Sequence, residues 1–411
     1  MIDFEKFELE NGLKVLVHKD TSTPIVAINI LYDVGSRDED PDKTGFAHLF
    51  EHLMFGGSIN IPKYDVPLEN AGGENNAFTN NDITNYYLTI PKQNLELAFW
   101  LESDRMLNLA FSKKSLDVQR NVVIEEFKQS YLNQPYGDVW LLLRPLAYKV
   151  HPYLWTTIGK DISHIENATM ADVKSFYKKY YNPNNAILSI AGDIDINEIK
   201  ALSQKWFGPI QSLEKPKRNL PKEPTQQKPQ HLSVERDVPV DAIYKAYHMC
   251  NRTDDDYYTT DLISDVLSNG NSSRLFSRLV KERQVFSKIN AYISGDIDNG
   301  LFIFTGKLAN GIKMEEAENA LNVEIEKMKT EEVSKDELQK VKNKIESTIE
   351  FSEINVLDKA MNLAYSELLG NADLINQEIG LYNKVTKEDI QKVAFKIFNN
   401  NNCSTLYYYA N

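Results

Sequence analysis

The sequence predicts an α+β protein made of two related units, and three observations lead to that prediction. The chain has 411 residues, too many for one ordinary domain and suitable for two of roughly 200 residues. Hydrophobic residues make up 42% of it, which provides for sizeable cores and excludes a disordered protein. A segment of the first half also recurs in the second half, which indicates that one α+β unit has been duplicated.

The recurring segment joins a helix to a strand. Residues 169–185 align with residues 386–402 at a constant offset of 217 positions, matching a Thr, an Asp, a Lys and three Asn. Each copy precedes a segment rich in strand-forming residues, 186–191 in the first half and 403–409 in the second. The alternative is two unrelated helix-then-strand endings, but a single offset that matches six residues favours duplication.

The N-terminal region has the alternation typical of strands. Residues 7–20 alternate on both sides of an Asn-Gly pair, which is a strong indicator of a tight hairpin turn. The apolar run over residues 25–32 predicts a buried strand. Residues 76–79 and 84–90 are rich in β-formers and predict a pair of neighbouring strands.

Helical periodicity follows these strands. Residues 95–109 and residues 112–132 both place apolar side chains at helical spacing, which predicts two consecutive helices. Thr169 followed by Asp172 is typical of a further helix start. The apolar segment 186–192 then predicts the strand that closes the first half.

A linker is predicted between the halves. Five of the fifteen prolines lie between Pro209 and Pro229 among Lys, Gln and Glu, a composition that stays extended and exposed. We therefore expect an N-terminal domain over 1–208, a linker over 209–232, and a related C-terminal domain without a metal site over 233–411.

Composition narrows the classes of function. The net charge of −13 argues against nucleic acid as the main partner. No apolar run approaches the length of about 18 residues that a membrane span needs, and the N-terminus lacks the apolar stretch of a signal peptide. The two cysteines do not form a disulfide framework or a zinc-ligand pattern. They fit a cytosolic or a periplasmic protein, and the compartment stays open.

The strongest chemical motif lies in residues 47–55. On a helix, His48 and His52 project from the same face and can reach one metal ion. Glu51 lies at the edge of the same site, where a carboxylate can take a proton from water on the metal. The alternative is a core helix with two hydrogen-bonded histidines, but it gives Glu51 no role beside a core.

A zinc site of this kind needs a third protein ligand from elsewhere and leaves one position open. The candidates lie in the predicted helix over 112–132, where Glu125 and Glu126 are adjacent. Side chains of adjacent helical residues point about 100° apart, so only one of the two can face the histidines. Spacing alone does not choose between them.

Residues 44–58 closely resemble the active-site segment of the pitrilysin and insulin-degrading-enzyme family of zinc peptidases. The resemblance extends over nearly the whole chain, and its further motifs are 76–79, 122–126, 151–153, 181–185 with 191–193, and 272–276. The length is similar to that of the half-size members, such as the mitochondrial processing peptidase subunits and their bacterial relatives. The resemblance implies two similar domains, each a mostly antiparallel sheet flanked by helices. It also implies that two chains close around a chamber.

The resemblance assigns roles to the motif residues. His48 and His52 correspond to ligands of one zinc ion per chain, Glu51 to the general base and Glu126 to the third ligand. Glu125 and Gln119 correspond to neighbours of the ligands, and Gln119 stands where many relatives carry a Glu, so a charge beside the site is missing. The peptide substrate is expected to bind as an added strand beside Asn76, Ala77, Phe78 and Thr79.

The second half departs from the family pattern. Active two-chain members place an Arg and a Tyr where this chain has Val280 and Ser287, and that pair holds the substrate carbonyl. The resemblance therefore implies a heterodimer in which a related subunit supplies Arg and Tyr. A homodimer that uses a substitute such as Arg283 is the other arrangement. A catalytically silent scaffold and a peptide-binding subunit are the competing functions, and the intact set of metal-site residues favours an enzyme.

Overall fold

The structure is a computed structural model that describes residues 1–411, and it contains two mixed sheets. The strands of the first sheet are β1 (Glu5–Glu8), β2 (Lys14–Lys19), β3 (Ile25–Tyr32), β4 (Glu74–Thr79), β5 (Thr84–Pro91) and β6 (Ala186–Gly192). Those of the second are β7 (Gln230–Arg236), β8 (Ala242–His248), β9 (Phe286–Ile293), β10 (Leu301–Leu308) and β11 (Cys403–Ala410).

Fourteen α-helices accompany the sheets. The helices that begin before the second sheet are α1 (Phe46–Leu53), α2 (Asp65–Asn70), α3 (Leu95–Leu107), α4 (Lys113–Phe127), α5 (Val139–Ala147), α6 (Ile162–Glu166), α7 (Met170–Tyr180) and α8 (Ile196–Trp206). The later helices are α9 (Tyr257–Ser268), α10 (Met314–Thr330), α11 (Lys335–Ser352), α12 (Val356–Leu368), α13 (Leu374–Lys384) and α14 (Lys387–Ile397). None of them combines the length and the apolar character that crossing a bilayer requires.

The two sheets share one topology apart from β1, which only the first sheet has. The first has the strand order β1-β2-β6-β3-β5-β4 and the second has β7-β11-β8-β10-β9. In each sheet the strand that follows the repeated helix has a neighbour on both sides. It pairs parallel with one neighbour and antiparallel with the other. All other pairs are antiparallel. The prediction of two related α+β domains with mostly antiparallel sheets is therefore confirmed, and β9 is the counterpart of β4.

The compact units differ from the contiguous domains that the sequence predicts. One unit comprises 1–129, 155–220 and 350–377, and the other comprises 130–154, 221–349 and 378–411. The boundary at 220 lies inside the predicted linker, and residues 211–229 contain no helix or strand. However, each half of the chain contributes one helical segment to the other unit, so boundaries at 208 and 233 do not describe the fold.

The contributed helices cover equivalent sheet faces. In the first unit α12 lies on β3, β6, β2 and β5, and its Val356 and Ala360 pack against Ala27 and Ala191. In the second unit α5 lies on β11, β8 and β7. Small residues at the first contact let the helix approach the sheet closely, and burying this apolar face stabilises the unit by the hydrophobic effect.

Candidate metal centre

Helix α1 carries the His-x-x-Glu-His motif, and its two faces differ. Phe46, Ala47, Leu49, Phe50 and Leu53 are buried in the core of the first unit. His48 and His52 leave the opposite face with their ring centroids 4.8 Å apart. The spacing of the apolar residues therefore anchors the helix on one side, and the two histidines present their imidazoles on the other.

The start of α1 is held by a residue that the motif does not contain. The Glu39 carboxylate accepts hydrogen bonds from the amides of Gly45 and Ala47, each at 2.8 Å, and so satisfies donors that every helix N-terminus leaves free. Burial raises the pKa of Glu39 to about 8. Gly45 has φ +89, and a Cβ there would lie 2.6 Å from the Ile158 carbonyl oxygen, so glycine is required. No sequence pattern predicts the role of Glu39, because a capping residue from a loop outside the helix has no fixed spacing from it.

Helix α4 brings a carboxylate to the two histidines. It packs against α1, and its N-terminus is capped by the Ser112 hydroxyl, which accepts from the Ser115 amide. Glu126 Oε2 lies 3.6 Å from His48 Nε2 and 3.3 Å from His52 Nε2. All three candidate donor atoms lie within 4.8 Å of one another.

This donor set fits zinc. Two imidazole nitrogens and one carboxylate oxygen are ligands that a catalytic zinc ion takes, with a fourth position left for water or substrate. His48 Nδ1 is buried without a hydrogen-bond partner, so Nε2 is the nitrogen directed at the site. Small adjustments of the three side chains suffice to bring donors this close to bonding distances of about 2.0–2.2 Å from one ion.

The protonation states also suit a metal. Burial lowers the pKa of His48 to about 4, so its imidazole is neutral near pH 7. The hydrogen bond from His52 lowers the pKa of Glu126, so that carboxylate is ionised. Neutral imidazole and ionised carboxylate are the forms that coordinate metal ions.

Glu51 lies beside this cluster and next to the edge of the first sheet. Burial raises the pKa of its carboxyl group, and the neighbouring Thr79 at the end of β4 partly opposes that change. A carboxylate whose pKa is moved towards neutrality is better suited to accept and return a proton. Helix α1 packs against β4, so the acid and the strand belong to one local arrangement.

The two neighbouring residues of α4 have different surroundings. Glu125 points away from the histidines: its Oε1 accepts from Lys128 Nζ at 2.7 Å, and 61% of its side chain is exposed. Gln119 is partly buried, two helical turns before Glu126. Of the two glutamates that spacing left open, the structure therefore brings Glu126 to the histidines.

Residues Asn76 to Thr79 form the outer strand of the first sheet. They belong to β4, which pairs with β5 on one side and has no strand on the other. The exposed side chain of Phe78 and the partly buried one of Thr79 alternate as a strand requires. An unpaired edge of this kind can accept a further strand from a peptide.

The two positions at which the resemblance implies Arg and Tyr in active two-chain members lie in the second unit. Val280 packs against the apolar core of that unit, and Ser287 Oγ donates to the Lys307 carbonyl oxygen at 3.2 Å. Arg278 is hydrogen-bonded to Glu324, whereas Arg283 is exposed. Neither Val280 nor Ser287 offers a donor comparable with Arg or Tyr.

Comparison with known proteins identifies relatives of the whole chain. Residues 14–141 match the family model described as insulinase (peptidase family M16), and residues 167–345 match the one described as peptidase M16 inactive domain. The zinc protease PqqE of Helicobacter pylori is 32% identical over 344 residues, which are 82% of this chain and 77% of that protein.

Solved structures of similar proteins have the same fold as this chain. A protease from Helicobacter pylori superposes with a TM-score of 0.93 at 28% identity, covering 99% of this chain and 100% of that one. The periplasmic protease PqqL from Escherichia coli superposes with a TM-score of 0.82 at 20% identity, covering all of this chain but 48% of that one. In fold, this chain thus corresponds to the whole of the first structure and to about half of the second.

Proposed function

The chain belongs to peptidase family M16 and is similar to proteins that are named zinc proteases, and we propose that it is a zinc-dependent endopeptidase that cuts extended peptides. The observation that carries the proposal is the convergence of His48, His52 and Glu126 with Glu51 beside them. The three converging residues would hold one zinc ion. Bound there, zinc lowers the pKa of a water molecule and polarises a carbonyl oxygen.

The protein's own residues supply proton transfer and positioning. Glu51 accepts the proton from the attacking water on its carboxylate and returns it to the nitrogen of the leaving amine. The peptide lies along β4 as an added strand, where backbone hydrogen bonds fix its register. Because Thr79 neighbours Glu51, a peptide paired with Asn76–Thr79 has its backbone close to that base.

A second chain completes the active enzyme in this proposal. Val280 and Ser287 cannot hold the substrate carbonyl as Arg and Tyr do, which supports a heterodimer with a related subunit that carries both. The two chains enclose a chamber that admits unfolded peptides or small proteins. A homodimer in which the exposed Arg283 serves instead is the other arrangement, and it predicts that the purified chain is active alone.

A non-catalytic role is the competing function. The family model that matches residues 167–345 is described as an inactive domain, and the same region lacks the Arg and Tyr. A scaffold or peptide-binding subunit would bind peptides without cutting them, even with zinc and the related subunit present.

Glu51→Gln tests the proposed base. Cleavage of a quenched fluorescent peptide is measured with the zinc-loaded chain, alone and with a related subunit that carries Arg and Tyr. We expect kcat to fall at least about hundredfold while bound zinc stays unchanged, because general-base catalysis contributes about 10²–10⁴-fold. Glu125→Gln is the matched control and keeps wild-type turnover. Wild-type turnover in Glu51→Gln would refute the proposal, and absence of cleavage by every preparation would favour the scaffold.

A further inference from the structure

A groove in the second unit shares no residue with the metal centre. It has a volume of about 230 Å³ and lies between α5 and the strands β8, β9 and β10. We call it the lysine groove, and it is lined chiefly by Tyr136, Trp140, Tyr244, Lys288, Tyr292 and Lys307. Aromatic rings and ammonium groups together are suited to a ligand that is part apolar and part anionic.

The groove exists because α5 covers only part of its sheet face. The helix packs on β7, β8 and β11, and it buries Val139, Leu143 and Ala147 against them. Strands β10 and β9 continue the same sheet beyond β8, and β9 is the edge strand on that side. A peptide can therefore contact the face of β9 and β10 and an unpaired strand edge at once.

The charges in the groove are unbalanced. Lys288 and Lys307 are directly opposite each other on β9 and β10, an arrangement that repulsion makes unfavourable. Both side chains are exposed, and neither forms an ion pair with an acidic residue of the chain. Lys307 Nζ instead lies 4.1 Å from the centre of the Tyr136 ring. An anionic ligand would relieve the repulsion between the two ammonium groups.

Tyr136 is held firmly in this position. Its backbone is in the left-handed region at φ +63, which is unusual for a residue other than glycine. Its hydroxyl donates to the Val240 carbonyl oxygen at 2.7 Å and accepts from the Val240 amide at 3.2 Å. The surrounding hydrogen bonds thus retain a strained conformation that keeps the ring beneath Lys307, and such strain is typical of functional sites.

We propose that the lysine groove binds an acidic segment of the peptide substrate, with carboxylates at Lys288 and Lys307 and an apolar side chain against Trp140 and Tyr292. The choice of a peptide rests on the proposed function. It is supported by the equivalence of β9 with β4, the strand beside the metal centre, since both are edge strands to which an extended chain can be added. The groove would favour substrates with acidic residues beside aromatic or aliphatic ones.

Peptide binding without cleavage tests this proposal. The chain carrying Glu51→Gln is titrated into a fluorescein-labelled twelve-residue peptide, and binding is measured by fluorescence anisotropy. One peptide, the acidic peptide, has two Glu around one Phe. The other, the Gln peptide, is the same sequence with Gln in place of both Glu. Adding Lys288→Gln and Lys307→Gln should weaken binding of the acidic peptide about tenfold or more at low salt and leave the Gln peptide unchanged. Lys288→Arg with Lys307→Arg should retain the tight binding.

The control removes the same charge elsewhere. Lys313 and Lys335 are exposed lysines without ion pairs at the starts of α10 and α11, and replacing both by Gln should leave binding of either peptide unchanged. The proposal would be overturned if the Lys313/Lys335 variant lost as much affinity for the acidic peptide as the Lys288→Gln/Lys307→Gln variant. It would also be overturned if the Lys288→Gln/Lys307→Gln variant still bound the acidic peptide tightly. Because binding is measured without turnover, a failure of the groove is distinguishable from a failure of the proposed peptidase activity.

Discussion

Glu126 is the most exposed of the three residues that converge in the metal centre. Of its side chain 42% is accessible, against 12% for His48 and 25% for His52. The imidazoles are fixed by one short helix with a buried face, whereas the carboxylate depends on the packing of α4 against α1. Glu126 is therefore the candidate ligand whose position depends most directly on tertiary packing.

An ion pair in the second unit shows how one residue of a family motif contributes to stability. Arg274, from the motif at 272–276, binds Glu337 through two parallel hydrogen bonds of 2.8 and 3.0 Å. The hydrogen bond from Arg274 is the chief reason that the pKa of Glu337 is lowered to about 2. Arg274 therefore stabilises the second unit, and its contacts do not indicate a catalytic role.

Glu337→Gln should lower the free energy of unfolding by about 1 kcal/mol at pH 7, a value reduced for the partial exposure of the carboxylate. Because the folded pKa is below the ordinary value of 4.5, the contribution is complete above about pH 4.5 and is lost as the pH falls towards 2. Urea unfolding of wild type and variant at pH 7, 5, 4 and 3 measures the difference. A difference that is constant over this range would contradict the assignment.

The sequence alone predicts only those site residues that lie close together along the chain. His48, Glu51 and His52 lie on one helical turn, so their spacing alone indicates a metal motif. The choice of Glu126 over Glu125 required the resemblance or the structure, because it depends on how α4 is rotated against α1. Glu39 was not predictable, since its bonds to Gly45 and Ala47 come from a loop without regular spacing.

The repeated helices α7 and α14 begin in the same way. The Thr169 hydroxyl accepts from the Asp172 amide and the Thr386 hydroxyl from the Asp389 amide, and each aspartate carboxylate in turn accepts from the amide of its threonine. The hydrogen bond from Lys43 is the main cause that lowers the pKa of Asp172, and the bond from the Thr386 amide is the main cause that lowers the pKa of Asp389. The offset of 217 positions thus corresponds to equivalent helix starts in the two units.

Thr169→Ala and Thr386→Ala should each destabilise the protein by about 1 kcal/mol, because each leaves helix amides without their acceptor. Urea unfolding at pH 7 measures the change for each variant. Thr348→Ala is the matched control: Thr348 is exposed within α11 and caps no helix, so its replacement should change the free energy by less than about 0.5 kcal/mol. If only one cap variant were destabilised, the two helix starts would not be energetically equivalent.

Element boundaries were less predictable than element types. The helix predicted over 112–132 ends as α4 at Phe127 and continues as a π-helix over Lys128–Leu132. Apolar periodicity continues through this change of hydrogen bonding, so the sequence alone does not reveal it. The predicted helix over 95–109 ends two residues earlier, at Leu107.

At the scale of the whole molecule, the duplication was predictable and the exchange of segments was not. The repeated residues indicate two related units, and the proline-rich composition indicates a linker. Both features can be recognised because each is a property of a contiguous stretch of sequence. The placement of α5 on the second sheet and α12 on the first depends on which sheet face each helix buries. Such long-range burial has no local sequence pattern, so the chain divides into units that are not contiguous.

Zinc binding by matched glutamate variants tests the central claim most directly. Wild type, Glu125→Gln and Glu126→Gln are loaded with zinc, dialysed against a zinc buffer and measured by inductively coupled plasma mass spectrometry. We predict one zinc ion per chain for wild type and Glu125→Gln, and affinity at least about tenfold weaker for Glu126→Gln, because it lacks one of three protein ligands. Unchanged zinc affinity in Glu126→Gln, or loss in Glu125→Gln instead, would contradict a metal centre formed by His48, His52 and Glu126.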